Sequence, residues 1–153
     1  MASNFSLQPL LELMRNRTDE ATRNLGKLIS AEQNARSRLE MLEQYRAEYA
    51  DKLRDATTQG LTRQVLANYQ DFLGRIDEAI GQQRDIVRQS EAGTRRGQEH
   101  WKQQNTRLQA IGTLATRHEA REKQKENKQE QKLLDELTNR KFATLPKKTH
   151  DES

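Results

Sequence analysis

Apolar residues recur through the first third of the chain at alternating steps of three and four. From Leu11 the series is Leu11, Met14, Thr18, Ala21, Leu25, Leu28, Glu32, Ala35, Leu39, Leu42, Arg46, Tyr49, Leu53 and Ala56. One column of this heptad (Met14, Ala21, Leu28, Ala35, Leu42, Tyr49, Ala56) is apolar throughout, whereas the other admits Thr18, Glu32 and Arg46. A repeat sustained this long keeps a narrow stripe turned toward one partner and predicts a coiled-coil helix. Ser6 is placed to cap its start, Phe5 and Leu10 are spaced as a hydrophobic staple, and Pro9 still falls in the first turn.

The pattern breaks across Thr57, Thr58, Gln59 and Gly60 and resumes after Leu61, with Thr62 as cap and Leu61 spaced to staple onto Leu66. So short a connection makes the two helices antiparallel neighbours. The second stripe runs Leu66, Tyr69, Leu73, Ile76, Ile80, Gln83, Val87, Ser90, Thr94, Gly97, Trp101, Gln104, Leu108, Ile111, Ala115 and His118. One of its columns is half polar, so this side of the seam is weaker than the first.

The sequence thus predicts an all-α fold, an antiparallel two-helix coiled coil forming a long α-hairpin. It reads as a single coiled-coil domain over 1–153, with helix 1 at about 6–57, a turn at 58–61, helix 2 at about 62–142 and a polar tail at 143–153. Helix 2 is the longer, leaving about 29 residues beyond the reach of helix 1 at 1.5 Å per residue. Residues 117–132, RHEAREKQKENKQEQK, contain Ala120 as their sole apolar side chain, which suits a helix with no partner. The overhang ends in LLDELTNRKF, where Leu133, Leu134, Leu137 and Phe142 form an apolar patch. Two readings of it stand open, a contact for another protein and a fold-back onto Leu10 and Leu11. Gly74, Gly81, Gly93, Gly97 and Gly112 also lie inside helix 2, each costing about 1 kcal/mol relative to Ala. For Gly93 and Gly97, close approach to helix 1 and local bending are both open, and a membrane dimer motif does not suit so polar a helix.

Composition narrows the function. Charged residues make up 33% of the 153 and hydrophobic ones 32%, with 5% aromatic and a mean hydropathy of −1.14. A domain of this size with a deep core has an apolar fraction nearer half, so a compact small enzyme is disfavoured. The absence of cysteine excludes disulfides and thiolate metal sites and fits a reducing compartment. The N-terminal MASNFSLQPLLELMRNR has no export-signal pattern, and no run approaches the roughly 20 apolar residues of a membrane span. The expectation is a cytosolic chain with no direct membrane insertion.

Catalytic chemistry is not legible. His100, His118 and His150 are scattered, and no HExxH, phosphate loop or nucleophile elbow occurs. No catalytic residue, metal site or cofactor is expected. Carboxylates on a solvated helix read as ion-pair faces, as with Glu119 and Lys123. The isoelectric point near 9.5 raises nucleic acid as a partner, with Arg117, Arg121, Lys123, Lys125, Lys128 and Lys132 on the overhang. Yet the net charge is only +4 and no segment concentrates it as a phosphate-tracking surface would, so nucleic acid is not expected.

LEMLEQYRAEYADKL (39–53), Gly60, NYQDF (68–72) and IDEAIGQQ (76–83) together resemble the FliJ family, the small coiled-coil proteins of the flagellar type III export apparatus. The chain length, the short hairpin and the longer second helix fit that family over essentially the whole chain, and the tyrosine spacing followed by NYQxF is its distinctive part. The resemblance implies a nonenzymatic stalk like the central shaft of rotary ATP synthases. Its partners would be the hexameric flagellar export ATPase, whose ring assembly it promotes, the cytoplasmic domain of the export gate protein, and flagellar export chaperones. It would sit in the cytoplasm, peripheral at the inner membrane through the export apparatus. The gate-binding positions implied are Arg38, Leu42, Tyr45, Tyr49, Phe72, Ile76, Ala79 and Gln83. Leu42, Tyr49 and Ile76 are also seam positions, for which core packing is an equal reading, while Tyr45, Phe72 and Ala79 flank the seam. Arg38 and Gln83 depart from the family's commoner residues. With the turn centred near residue 59 or 60, Leu42 should face Ile76 and Tyr49 should face Tyr69. For the ATPase, the open end of the rod points to Leu11, Met14, Arg15, Arg17, Leu133, Leu134 and Leu137. The competing readings are the equivalent stalk of a virulence type III secretion system and a generic coiled-coil scaffold.

Overall fold

A computed structural model of the chain describes residues 7–144. It consists of two α-helices, α1 (Gln8–Gln59) and α2 (Arg63–Thr144), with no strand among the described residues. They pack as an antiparallel hairpin in which α2, at 82 residues, is the longer and α1 has 52. The expected Ser6 cap, the Phe5–Leu10 staple and nearly all of the polar tail lie outside the described residues. The chain divides into two compact units, a hairpin unit of Arg15–Arg107 and a terminal unit that joins the residues up to Met14 with those from Leu108 onward.

The loop of the hairpin unit is built as its residue types require. Gly60 has φ +93°, a left-handed conformation that L side chains rarely adopt. Its N–H bonds the carbonyl of Thr57 at 3.3 Å, as in a Schellman-type helix end. Thr62 caps α2, its Oγ1 accepting the N–H of Val65 at 3.3 Å. Helix α1 runs past Thr57 because the Thr57 and Thr58 hydroxyls donate to the carbonyls of Leu53 and Asp55, each at 2.7 Å. These bonds tie the last turn down instead of breaking it. The loop therefore centres on Leu61, about two residues later than the break in the pattern suggests.

Every position of the second stripe is buried or half-buried in the structure, as is every position of the first except Arg46. Arg46 is exposed because its long side chain leaves the seam and hydrogen-bonds Asp77 of α2. Within the hairpin unit, Ala21, Ala35, Ile76, Ile80 and Val87 are the buried apolar residues, between 2% and 6% exposed. No side chain there or in the terminal unit falls below 2% among the larger residues, since a helix with one neighbour stays wet on its other sides.

Three polar side chains of the α2 seam are paired across the interface. Gln83 donates its Nε2 to the carbonyl of Ala35 at 2.9 Å, the Thr94 hydroxyl donates to the carbonyl of Leu28 at 3.4 Å, and the Trp101 indole donates to Thr22 Oγ1 at 2.8 Å. The buried Gln83 bond removes a desolvation cost of about 1–3 kcal/mol that an unpaired group would carry there. Ion pairs flank them: Arg36 with Glu91 at 2.7 Å, Arg84 with Glu43 at 3.4 Å, and Arg46 with Asp77. All are largely exposed, so each is worth about 0–1 kcal/mol and contributes more to pairing register than to stability.

The glycines separate into two kinds. A Cβ on Gly97 would lie 2.6 Å from Leu28 Cδ1, and one on Gly93 would lie 3.6 Å from Leu28 Cδ2. Close approach to α1 is thus the reason for Gly97, whereas a Cβ at Gly93 would make an ordinary van der Waals contact. Gly74 and Gly81 have nothing within 4 Å of the same point.

In the terminal unit, Leu11 and Met14 are buried, with Leu7, Leu108, Ile111, Ala115 and His118 half-buried. The seam ends there. From Lys123 to Ala143 every residue is exposed, including Leu133 (61%), Leu134 (58%), Leu137 (50%) and Phe142 (72%). These side chains do not fold back on Leu10 and Leu11, because Leu133 lies about 22 Å of helix beyond His118. Lys125 pairs with Glu122 at 3.9 Å, while Glu119 and Lys123 do not pair with each other.

Gly81→Ala is expected to raise stability by about 0.5–1 kcal/mol. Gly97→Ala should fall about 1–2 kcal/mol short of that gain because Leu28 must be displaced; urea titrations of the two variants check the difference. Amide hydrogen exchange should show strong protection across 73–104 and little from residue 123 onward, where no second helix covers the backbone bonds.

Candidate functional site

Four aromatic rings gather near the loop end of the hairpin unit. Tyr45 and Tyr49 stand one turn apart on α1, and Tyr69 and Phe72 do so on α2, so each pair presents two rings to the other helix. Tyr49 is the centre, with its ring centroid 4.4 Å from Phe72, 5.2 Å from Tyr69 and 6.3 Å from Tyr45. Phe72 meets Tyr45 edge-on at 6.2 Å. Tilted and edge-on pairs of this kind are worth about 0.5–1.5 kcal/mol each beyond the area they bury. The Tyr49–Tyr69 contact is the one the heptad pattern anticipates.

Beside the rings, Arg38, Met41, Leu42 and Tyr45 of α1 and Gln83 of α2 line an open recess of about 350 Å³. Its walls are almost wholly apolar. Gln83 has turned its amide N–H inward to Ala35, which leaves the stems of Met41, Leu42 and Tyr45 to form the surface. Met41 is 70% exposed and Tyr45 is 49% exposed. Arg38 stands at the rim without an ion pair among the described residues. On the far flank, the hydrogen bond to Asp77, and then the attraction of its charge, push the Arg46 guanidinium above its ordinary range.

Of the eight positions implied for the export gate, Arg38, Leu42, Tyr45 and Gln83 meet in the recess, while Tyr45, Tyr49 and Phe72 meet in the ring cluster. Tyr45 joins the two. Ile76 is buried in the seam at 6% exposure and Ala79 is half-buried. Met41 completes the recess although the sequence reading passes over it. The signal was present: Met41 is an apolar residue off both heptad columns, three after Arg38 and four before Tyr45, and so on their face of the helix. The second set is not brought together as one surface. Leu11 and Met14 are buried, Arg15 and Arg17 are exposed, and Leu133, Leu134 and Leu137 are exposed on the uncovered part of α2.

Among the described residues no three His, Asp or Glu side chains gather where they could hold a metal ion, and no helix is long and apolar enough to cross a membrane. A two-helix seam with an exposed apolar recess beside a ring cluster defines the chain as a two-helix coiled-coil protein. The family model described as flagellar FliJ protein matches residues 3–146. A flagellar FliJ protein of Salmonella typhi is 32% identical over 146 residues, and one of Escherichia coli K12 is 31% identical over the same length. Each alignment spans 95% of this chain and 99% of the relative. The chain belongs to the flagellar FliJ family, which places it in flagellum biogenesis and flagellar protein export.

Tyr49→Ala should cost about 2–4 kcal/mol in stability because it empties the centre of the ring cluster. Met41→Ala should change stability by less than about 0.5 kcal/mol, being an exposed position. Thermal melts of the two variants distinguish the residue that builds the site from the one that it displays.

Proposed function

We propose that this chain is the stalk of the hexameric flagellar export ATPase, that it promotes assembly of the ATPase ring, and that it links the ring to the cytoplasmic domain of the export gate protein and to export chaperones. In this reading it works in the cytoplasm, peripheral at the inner membrane through the export apparatus, and contributes no catalysis of its own. The observation that carries it is the open recess in which Arg38, Met41 and Tyr45, exposed and outside the seam, stand beside the seam residue Leu42. Met41 adapts its shape to a partner at low cost, and Tyr45 supplies a rigid amphipathic face beside it. Both properties suit an anchor for the gate domain. Ile76 and Tyr49 support this surface from beneath, and Leu42, Phe72, Ala79 and Gln83 frame it.

For the ATPase, the exposed Leu133, Leu134 and Leu137, with Arg15 and Arg17, are the residues proposed to touch the ring. Leu11 and Met14 act indirectly, by holding the start of α1 on α2. Promotion of assembly requires only that the stalk bind the closed ring better than separate subunits, since a ligand shifts an equilibrium by its differential affinity.

Purified chain should raise the turnover and hexamer fraction of the cognate ATPase, and Leu133→Ser with Leu137→Ser should reduce both. Tyr45→Ala and Met41→Ala should leave ATPase stimulation intact and weaken gate-domain binding by about tenfold each, the effect of losing an anchor worth about 1–2 kcal/mol. Absence of binding together with an unchanged hexamer fraction would sink the proposal.

A further inference from the structure

The end of the hairpin unit remote from the loop has a charge character that neither helix shows alone. Antiparallel pairing sets residues 15–27 of α1 beside residues 95–107 of α2, as the Trp101–Thr22 hydrogen bond and the Gly97 approach to Leu25 show. Each stretch carries four cations, and the two together hold three carboxylates, Asp19, Glu20 and Glu99. None of the eight cations is in an ion pair among the described residues, whereas the ion pairs that cross the hairpin unit join residues between 36 and 91. The opposite end is acidic. Residues 40–55 and 71–85 carry nine carboxylates against five cations.

In the middle of the basic end is a recess of about 310 Å³, lined by Arg17, Glu20, Ala21 and Asn24 of α1 and by His100 and Gln104 of α2. Gln104 is 7% exposed, and its Oε1 is buried with no hydrogen-bond partner. A buried amide oxygen in that state is costly, and its natural complement is an N–H or O–H donor. That oxygen is sealed from solvent, so what the walls offer a ligand is donors (Arg17, Asn24 and the His100 ring) beside one carboxylate acceptor, Glu20. A ligand for this site needs a negative group and hydrogen-bond donors together.

We infer that this end of the hairpin unit binds an acidic segment of another protein. A polypeptide meets both demands, with side-chain carboxylates on Arg17 and the surrounding cations and main-chain N–H groups toward Glu20. A phosphodiester backbone has no donor to give, and Glu20 repels it. The unpaired cations raise the local concentration of an acidic chain over about a Debye length, and the recess gives it a place to lodge. This site is separate from the gate-facing recess. It shares only Arg15 and Arg17 with the ATPase reading, and the assay below contains no ATPase, so either reading can fail alone.

The test uses the full chain and a fluorescein-labelled peptide of alternating Glu and Gly, read by anisotropy. The chain's one tryptophan, Trp101, is half-buried next to His100 and supplies a second, intrinsic signal. Arg17→Glu with Arg96→Glu should weaken binding at least about tenfold, and the milder Arg17→Gln with Arg96→Gln about threefold to fivefold. Lys52→Glu with Arg54→Glu, the same change of net charge at the loop end, should weaken it less than about twofold. Equal losses from the two charge-reversal pairs would reduce the effect to net charge and overturn the inference. So would tighter binding, through Arg17 and Arg96, to duplex DNA, to phosphatidylglycerol vesicles or to inorganic phosphate, and so would self-association of the chain that outcompetes the peptide.

Discussion

One strip of contact between two helices is the whole of the burial available to this chain. A helix with a single neighbour covers only the residues that recur every three and four positions, and the rest of its surface stays in water. Stability must therefore come from many partly buried residues spread along the seam, with none deeply enclosed. That constraint explains why small residues matter so much. Ala21, Ala35, Gly93 and Gly97 let the backbones come close, and closeness lets Gln83 and Thr94 reach main-chain carbonyls of the opposite helix. The polar seam positions are then not defects. The bonds spare Gln83 and Thr94 the cost of burying an unpaired polar group.

A seam that needs so few residues leaves the outer faces free for other work. Near the loop, the aromatic residues that close the seam extend sideways into Tyr45 and Met41, so the partner-facing recess is a continuation of the core rather than an addition to it. Its rigidity comes from Tyr49, which touches three other rings. At the other end of the hairpin unit the seam ends in polar layers, and the surface around it is basic. On α2 beyond His118 the seam stops altogether, and the leucines there remain exposed.

Much of the fold could be read before any coordinates. The heptad columns locate the seam residue by residue, and the Gly60–Leu61–Thr62 run locates the reversal, because left-handed backbone and side-chain capping need those residue types. What the pattern could not place was Arg46, whose length lets it sit at a seam position and still deliver its charge to Asp77 outside. Nor could it place the end of α1, where two threonine hydroxyls prolong a helix that the loss of apolar periodicity appeared to close. The candidate site was legible as a set of residues through Tyr45, Tyr49 and Phe72. It was not legible as a shape: Ile76 is buried as its seam position allowed, but Met41 joined the recess, because whether a flanking side chain is covered depends on the partner helix's register and not on its own position.

The sequence by itself determined that this chain is a two-helix hairpin with its reversal near residue 60, since heptad period, turn chemistry and the scarcity of apolar residues each follow from local spacing and composition. Only the tertiary structure decided what the two helices have in common. Pairing them antiparallel brought four separated aromatic residues into one cluster, gave Gly97 a reason in Leu28, and set two modest stretches of cations side by side as one basic end. Contacts and fields of that kind arise between residues many tens of positions apart, and their distance is fixed by the register of the packed helices, which no single stretch of sequence contains.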